Sequence, residues 1–322
     1  MLLTRKSVIK WLVALLCVGL IFASLFVGGY SISLSSLVTD PAAREMFFIS
    51  RVPRTLALVL SGCALSISGV VMQMITQNKF VEPSTSGASQ WAGLGILLIA
   101  IFQLDAPIWV QMGLSSLFAF IGTMVFLAIL RRVALKSSYI VPIVGMMLGA
   151  VVGAISTYLA ASNDLLQMLA SWRSGGFTPI VRGNYEPLWI VALITLAVYF
   201  TADRFTVAGL GEEVATNVGL NYRAVVFIGS ALVALATGVT AVVVGFLPFI
   251  GLVVPNIVSL LRGDNIRTAL PWVALLGTGL ILACDIVGRL VIAPLEIPVS
   301  VVLGFVGAAV FLVLILSRRR AN

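Results

Sequence analysis

The sequence predicts an all-α polytopic membrane protein of about ten transmembrane helices, forming a single domain over residues 1–322. Hydrophobic residues make up 60% of the chain, charged residues only 10%, and the mean hydropathy is +1.14. A soluble domain of this length needs far more polar surface than that. A helix needs roughly 20 apolar residues to cross the hydrocarbon core, and apolar runs recur along the chain often enough for about ten crossings.

The expected membrane spans follow from the positions of these apolar runs. The third and eighth are short, which predicts broken helices sheltered by their neighbours. The first is longer than the apolar region of a secretory signal, so we expect it to be retained as a span. The spans lie at about 11–30, 55–75, 91–103, 108–130, 139–161, 187–203, 224–247, 249–261, 271–292 and 297–316.

The distribution of basic residues orients these spans. An even number of crossings places both termini on one side, and that side receives 14 of the 20 lysines and arginines. The positive-inside rule makes this side the cytoplasm. Two features fit the rule less well: an acidic-rich inner loop at about 204–223, and a group of outer arginines near residues 44–54.

Composition excludes several classes of active site. None of the four lysines follows a glycine, so the chain has no phosphate-binding loop of the Gly-Lys-Ser/Thr type, and a partner must hydrolyse any ATP. Histidine is absent, and Cys17, Cys63 and Cys284 are scattered through apolar runs. We therefore expect no catalytic residues, metal site, disulfide or cofactor. The net charge of +8 reflects retention of cytoplasmic basic residues rather than nucleic-acid binding.

Asp285 is the clearest acidic residue within a span, and it allows two interpretations. It lies four residues before Arg289, so the two side chains share a helix face and can form a local ion pair. Alternatively, an ionisable group in a span can relay protons in an ion-coupled carrier. We favour the ion pair, which weakens the secondary-carrier interpretation without removing it.

Three stretches of sequence contain most of the information about function. The first, RVPRTLALVLSGCALSISGVVMQ (51–73), begins with Arg51 and Arg54 at the outer end of the second span. Its small residues permit close contact between helices. On physical grounds alone, the arginines can simply reach the lipid headgroups.

The second stretch, GLGEEVATNVGL (209–220), lies in the acidic inner loop and predicts a short helix. Glu212 and Glu213 fall in its first turn, and Gly219 is a C-terminal stop signal. Val214 and Val218 share one face. Such a helix can dock a partner protein, or it can lie at the lipid interface.

The third stretch, GFLPFIGLVVPNIVSLLRGDNIRTALPW (245–272), precedes the segments DIVGRL (285–290) and LEIPVSVVLGFVGAAVF (295–311). Pro248 and Pro255 are expected to break the eighth helix, because proline removes a backbone donor. The freed backbone groups then need partners within the bundle.

In this order, the three stretches resemble the FecCD-type permease family of ABC importers, which handle ferric siderophores, haem and cobalamin. The resemblance implies the type II, cobalamin-permease-like fold in the cytoplasmic membrane of a bacterium. It also implies two cytoplasmic ATP-binding subunits, an extracytoplasmic siderophore-binding protein and a second permease subunit, more often a paralogue than an identical copy. By the same resemblance, the binding protein docks at Arg51, Arg54 and Arg289, and the ATPase couples at Gly211, Glu212, Glu213 and Gly219.

The sequence departs from the family pattern at two places. The stretch after the second span reads QNKFVEPSTSG (77–87), a variant that resembles the catecholate-siderophore branch and favours that substrate class. Asn256 follows Pro255 where the family commonly has histidine, which leaves any role of that histidine in doubt. The alternatives are a cobalamin or haem importer, an ion-coupled carrier and, least favoured, a membrane scaffold.

A glycine repeat marks the fifth span. Gly145, Gly149 and Gly153 are four residues apart and form a groove on one helix face, with Met146 beside it. Close helix packing explains this pattern on its own. The resemblance implies that the same helix lines the translocation path.

Overall fold

The computed structural model describes residues 5–28, 33–103, 105–132, 139–263 and 265–319, and this part of the chain is helical without any strand. A π-helical turn (Phe47–Arg51) precedes α4 and a 3-10 turn (Glu186–Leu188) precedes α9. The helices are α1 (Arg5–Phe26), α2 (Leu34–Thr39), α3 (Pro41–Met46), α4 (Val52–Ile75), α5 (Ala88–Phe102), α6 (Ile108–Arg132), α7 (Ile140–Ser162), α8 (Leu166–Arg173), α9 (Trp189–Ala208), α10 (Glu212–Asn217), α11 (Tyr222–Val244), α12 (Ile250–Arg262), α13 (Ile266–Leu290) and α14 (Val299–Arg319).

The prediction of about ten transmembrane helices is confirmed. The described residues contain six helical segments long and apolar enough to cross a membrane, and four shorter apolar helices. Together these account for the ten expected spans. The first helix begins at Arg5, before its expected start at residue 11, and the sixth continues to Ala208 instead of ending at 203. The expected end of the first span, at residue 30, falls outside the described residues.

Side-chain contacts near the helix ends assign each end of the bundle to one side. At one end, Arg267 pairs with Asp203 at 2.7 Å, and Lys79 donates a hydrogen bond to Ser259 at 2.8 Å. At the other end, Arg54 pairs with Glu296 at 2.9 Å. These contacts join the same sequence regions that the charge rule assigns to a common side, so the alternating direction of the helices agrees with the predicted topology.

Helix α4 forms the centre of the bundle, because α9, α11, α12 and α13 all pack against it. Its small residues permit this close packing. A Cβ added at Gly62 would lie 2.8 Å from the carbonyl oxygen of Gly277, and one added at Gly69 would lie 2.0 Å from that of Gly251. Helices α12 and α13 therefore approach the backbone of α4 directly.

Helices α5 and α12 are too short to cross the membrane alone, as their sequences predict. They contain 15 and 13 residues, which span about 22 and 20 Å at 1.5 Å per residue. The hydrocarbon core is about 30 Å thick. The irregular segments 76–87 and 245–249 complete these two spans and lie within the protein, where their polar backbone groups can find partners.

Pro255 does not break α12, contrary to the expectation for both prolines. Pro248 lies in the irregular segment before the helix, but the helix continues through Pro255. A proline at this position leaves the carbonyl oxygen four residues earlier without its usual donor. That oxygen belongs to Gly251, and it accepts a hydrogen bond from Gln73 at 3.3 Å. The side chain of α4 thereby replaces the missing backbone bond.

The two irregular segments are tied together by polar side chains. Asn256 on α12 donates to the carbonyl oxygen of Lys79 at 2.7 Å, which gives the residue at the family's histidine position a structural role. Glu82 is 2% exposed, accepts a hydrogen bond from Ser84, and lies in hydrogen-bonding contact with the backbone N–H of Phe249. Buried polar groups are stable when they are bonded in this way.

Substituting Gly69 with alanine tests the contact between α4 and α12. We expect Gly69→Ala to lower the free energy of unfolding by about 1 to 3 kcal/mol, because the added methyl group overlaps the backbone of Gly251. Denaturation in detergent micelles measures the loss. The matched control is Gly113→Ala in α6, where a Cβ meets nothing within 4 Å. Equal stability of the two variants would contradict the close contact.

Candidate docking, coupling and translocation sites

The three arginines expected at the outer mouth come together in one charged cluster, the outer cluster, which consists of Arg51, Arg54, Asp285, Arg289 and Glu296. Arg54 bridges two carboxylates, with its nitrogens 2.8 Å from Asp285 and 2.9 Å from Glu296. Arg289 forms an ion pair with Asp285 across one helical turn, which confirms the expected local pair. Asp285 therefore neutralises two guanidinium groups rather than one.

The arginines of the outer cluster are buried. Arg51, Arg54 and Arg289 are 7%, 7% and 3% exposed in the single chain. Arg51 and Arg289 both donate to the carbonyl oxygen of Val27, and Arg289 also donates to Ser24, so the end of α1 is part of the same network. Docking of a binding protein at these arginines stays a prediction. It requires the guanidinium groups to release hydrogen-bond partners within the chain and to bind groups of the docked protein instead.

Glu296 is the most accessible carboxylate of the outer cluster, and it lies in the turn between α13 and α14. Its oxygens accept hydrogen bonds from Arg54 and from the hydroxyl of Thr178. Burial raises the pKa of Glu296, but the Thr178 hydroxyl and the Arg54 guanidinium outweigh burial and hold this pKa below its ordinary value. Its stabilising contribution is therefore present at neutral pH and is lost as the pH falls through the lowered pKa.

At the opposite end, the residues expected to couple to an ATPase form a short exposed helix. Gly211 precedes α10 with a φ of +110°, and Gly219 follows it with a φ of +82°. Both backbone conformations favour glycine. Glu212 and Glu213 are exposed in the first turn, where carboxylates complement the helix dipole. Val214 and Val218 are exposed as well.

The residues just before α10 contact the inner end of the central helix. Gly209 packs against Met74 of α4, and Gly211 lies beside Gln77 in the irregular segment 76–87. Ala215, within α10, is fully buried. A protein docked on α10 would therefore bind next to residues that pack against α4 and segment 76–87.

The glycines of α7 separate into two groups. A Cβ added at Gly145 would lie 2.2 Å from the carbonyl oxygen of Thr85, and Gly149 approaches Gly87 and Gln90. These two positions are close-packing sites for segment 76–87 and the start of α5. Gly153 is more open, with an Arg173 nitrogen 3.7 Å from the added Cβ as its nearest contact.

A cavity of about 410 Å³ opens along this face of α7, and we call it the α7 groove. Met146 lies on its wall and is partly exposed. The lining combines apolar, aromatic, amide and cationic side chains. It consists of Gln90, Met146, Gly149, Ala150, Gly153, Trp172, Arg173 and Phe246.

Sequence reasoning missed several residues of these sites. Glu296 lies in a turn, and the pairing with Arg54 over 242 positions leaves no local signal. Arg173 falls in the outer connection between the expected fifth and sixth spans, and no sequence signal predicts the helix α8 that contains it. Trp172, Gln90 and Phe246 come from three separate elements. The connection between the expected fifth and sixth spans is the longest one in the chain, and this length is the one available hint that a further element lies there.

These features define a class: a multi-pass helical membrane permease with a charged network at one end, an exposed acidic helix at the other, and broken helices between them. The profile of the FecCD transport family matches residues 15–317. The chain belongs to the FecCD transport family.

Several known proteins are similar to the chain along most of its length. It is 48% identical to the petrobactin import system permease protein FatD of Bacillus anthracis, covering 98% of this chain and 92% of that protein. It is 40% identical to the petrobactin import system permease protein YclN of Bacillus subtilis, covering 95% and 97%. A solved inward-facing structure of a metal-chelate type ABC transporter matches with a TM-score of 0.81 and 25% identity, covering 96% and 99%.

Removing the shared carboxylate tests the outer cluster. We expect Asp285→Asn to lower the free energy of unfolding by about 3 to 5 kcal/mol, because two buried guanidinium groups lose their common counter-charge. Denaturation in detergent micelles measures the effect. Asp203→Asn is the matched control: its ion pair with Arg267 is exposed, and such pairs contribute about 0 to 1 kcal/mol. A loss at Asp285 no larger than at Asp203 would contradict the arrangement.

Proposed function

We propose that the chain is the permease subunit of an ATP-driven importer that carries a ferric siderophore across the cytoplasmic membrane of a bacterium. The observation that carries this proposal is the full-length similarity to two petrobactin import permeases. Ferric petrobactin is accordingly the first candidate substrate. The catecholate-type substrate class, which the variant stretch 77–87 favours, is part of the same proposal.

The proposed assembly contains two permease subunits, two cytoplasmic ATP-binding subunits and an extracytoplasmic siderophore-binding protein. A paralogue is the preferred second permease. The chain itself hydrolyses no ATP in this proposal, since none of its lysines lies in a phosphate-binding loop. The ATPase subunit would receive α10, with Glu212, Glu213 and the exposed Val214 and Val218 as its contact surface.

The binding protein would dock over the outer cluster. Arg54 already binds Glu296 through two hydrogen bonds, at 2.9 and 3.1 Å, so an acidic side chain of a partner could replace Glu296 without a change in the kind of bond. Arg51 lies beside this pair and adds positive charge. Charge-assisted bonds of this type orient a partner and increase the rate of encounter.

The proposed mechanism transmits ATP-driven movement through segment 76–87. Motion of α10 would reach segment 76–87 through the contact between Gly211 and Gln77. That segment touches α7 directly, since Gly87 packs against the backbone of Gly145 and Gly149. The contacts of Gly87 with α7 leave no flexible side chain to absorb a displacement, so a shift of segment 76–87 would change the position of α7.

Uptake of radioactive iron tests the proposed substrate class. We expect deletion of the gene to abolish uptake of ferric petrobactin, and complementation to restore it, because the proposed assembly is incomplete without this permease subunit. Cells without other iron importers are offered a panel of ferric siderophores, haem and cobalamin. Dependence on the proton gradient but not on ATP would instead establish an ion-coupled carrier. Uptake of haem or cobalamin alone would show that one of these compounds, and not a siderophore, is the substrate.

Two charge variants test the opposite ends of the assembly and serve as controls for each other. We expect Arg51→Gln to weaken binding of the siderophore-binding protein about tenfold, corresponding to about 1.4 kcal/mol, while ATPase association is retained. The double variant Glu212→Lys, Glu213→Lys should weaken ATPase association and retain the binding protein. Surface plasmon resonance on nanodisc-embedded permease measures both. Equal effects of the two variants on both partners would contradict the assignment of separate ends.

A further inference from the structure

Helix α8 runs from the outer end of α7 back into the bundle. The N–H of Leu165, before α8, donates to the carbonyl oxygen of Ala160, near the outer end of α7. At the other end of α8, Arg173 donates to the carbonyl oxygen of Gly153 at 3.0 Å and to the hydroxyl of Thr157 at 3.1 Å. From its first residue to its last, α8 therefore descends about two turns along α7.

This descent places the Arg173 guanidinium group at hydrocarbon depth. Gly153 lies nine residues before the last residue of α7, which corresponds to about 14 Å along the helix axis. In a hydrocarbon core about 30 Å thick, such a position is well inside the outer boundary. A charged group at this depth is costly unless it faces a cavity, a counter-charge or a ligand.

Arg173 differs from the arginines of the outer cluster in its partners. Arg54 and Arg289 pair with carboxylates, whereas the hydrogen bonds of Arg173 go to a carbonyl and a hydroxyl group, which are neutral. No ion pair with a carboxylate of the described residues involves Arg173. Both of its bonds use one terminal nitrogen, Nη2, and they fix the direction of the guanidinium group without neutralising its charge.

The remaining face of Arg173 opens into the α7 groove. Trp172 and Phe246 form an aromatic wall there, with ring centroids 6.4 Å apart. Gln90 also lines the groove, and its Oε1 atom is buried without a hydrogen-bond partner among the described residues. A fixed cation, two aromatic rings and an amide together suit a ligand that has negative charge and flat apolar surface.

We propose that Arg173 is the charge-selecting residue of the translocation path, where it binds the anionic oxygens of a ferric chelate as the chelate passes along the α7 groove. This inference rests on the proposed function. A ferric complex of catecholate type is anionic, because its dianionic oxygen ligands outweigh the charge on iron. The guanidinium group stabilises that charge within the groove, and the two rings contact the aromatic surface of the ligand.

A series of substitutions at Arg173 tests the role of its charge. The complete importer, with binding protein and ATPase subunits, is reconstituted in proteoliposomes and transports ferric petrobactin labelled with radioactive iron. We expect Arg173→Lys to transport within about threefold of the wild type, Arg173→Gln about tenfold more slowly, and Arg173→Glu more slowly still. The matched controls are Arg182→Gln and Arg182→Glu, at an exposed arginine of the same outer connection that does not line the groove. Both should transport at the wild-type rate.

The order of the rates separates a charge-selecting role from a structural one. Equal loss in all three Arg173 variants, with matching loss of thermal stability, would show a purely structural role and overturn the proposal. Wild-type rates in the Gln and Glu variants would overturn it as well. If wild-type proteoliposomes transport no ferric petrobactin, the proposed substrate itself fails, and the proposal for Arg173 fails with it.

Discussion

Backbone that leaves the helical path inside a membrane must find its hydrogen-bond partners within the protein, and the structure depends on how this requirement is met. Segments 76–87 and 245–249 interrupt two spans; Glu82 ties these interruptions to one another, and Asn256 ties the first of them to α12. Gln73 provides the bond that Pro255 removes. Because the satisfied groups come from α4, α12 and the connecting segments, the centre of the bundle is specified by polar contacts as much as by apolar packing.

The same requirement applies to charge, and the chain meets it in two different ways. In the outer cluster, Asp285 and Glu296 neutralise buried arginines, so the network is stable in the free subunit. A partner protein can bind these arginines only by replacing one of the internal carboxylates. Arg173 has neutral partners and an open face on the α7 groove. A paired charge mainly fixes structure or orients a partner, whereas an unpaired one in a groove attracts a ligand of opposite sign.

Close glycine contacts connect these regions mechanically. Gly211 touches the start of segment 76–87, and Gly87 at its end touches the backbone of α7, which forms one wall of the groove. A single short segment thus lies between the exposed α10 and the face that we propose for the passing chelate. The second of these contacts is backbone to backbone, and closely packed interiors of this kind transmit strain.

The sequence by itself determined the class, the ten spans, the two short helices, the form of α10 and the pairing of Asp285 with Arg289, because hydropathy, helix-end signals and spacing of four residues are local properties. Only the tertiary structure decided that Arg54 joins that pair and binds Glu296, that α12 continues through Pro255, and that α8 returns Arg173 to the groove. Each of these depends on groups far apart in the chain, and the energy of burying a polar group is set by partners that a local pattern does not contain.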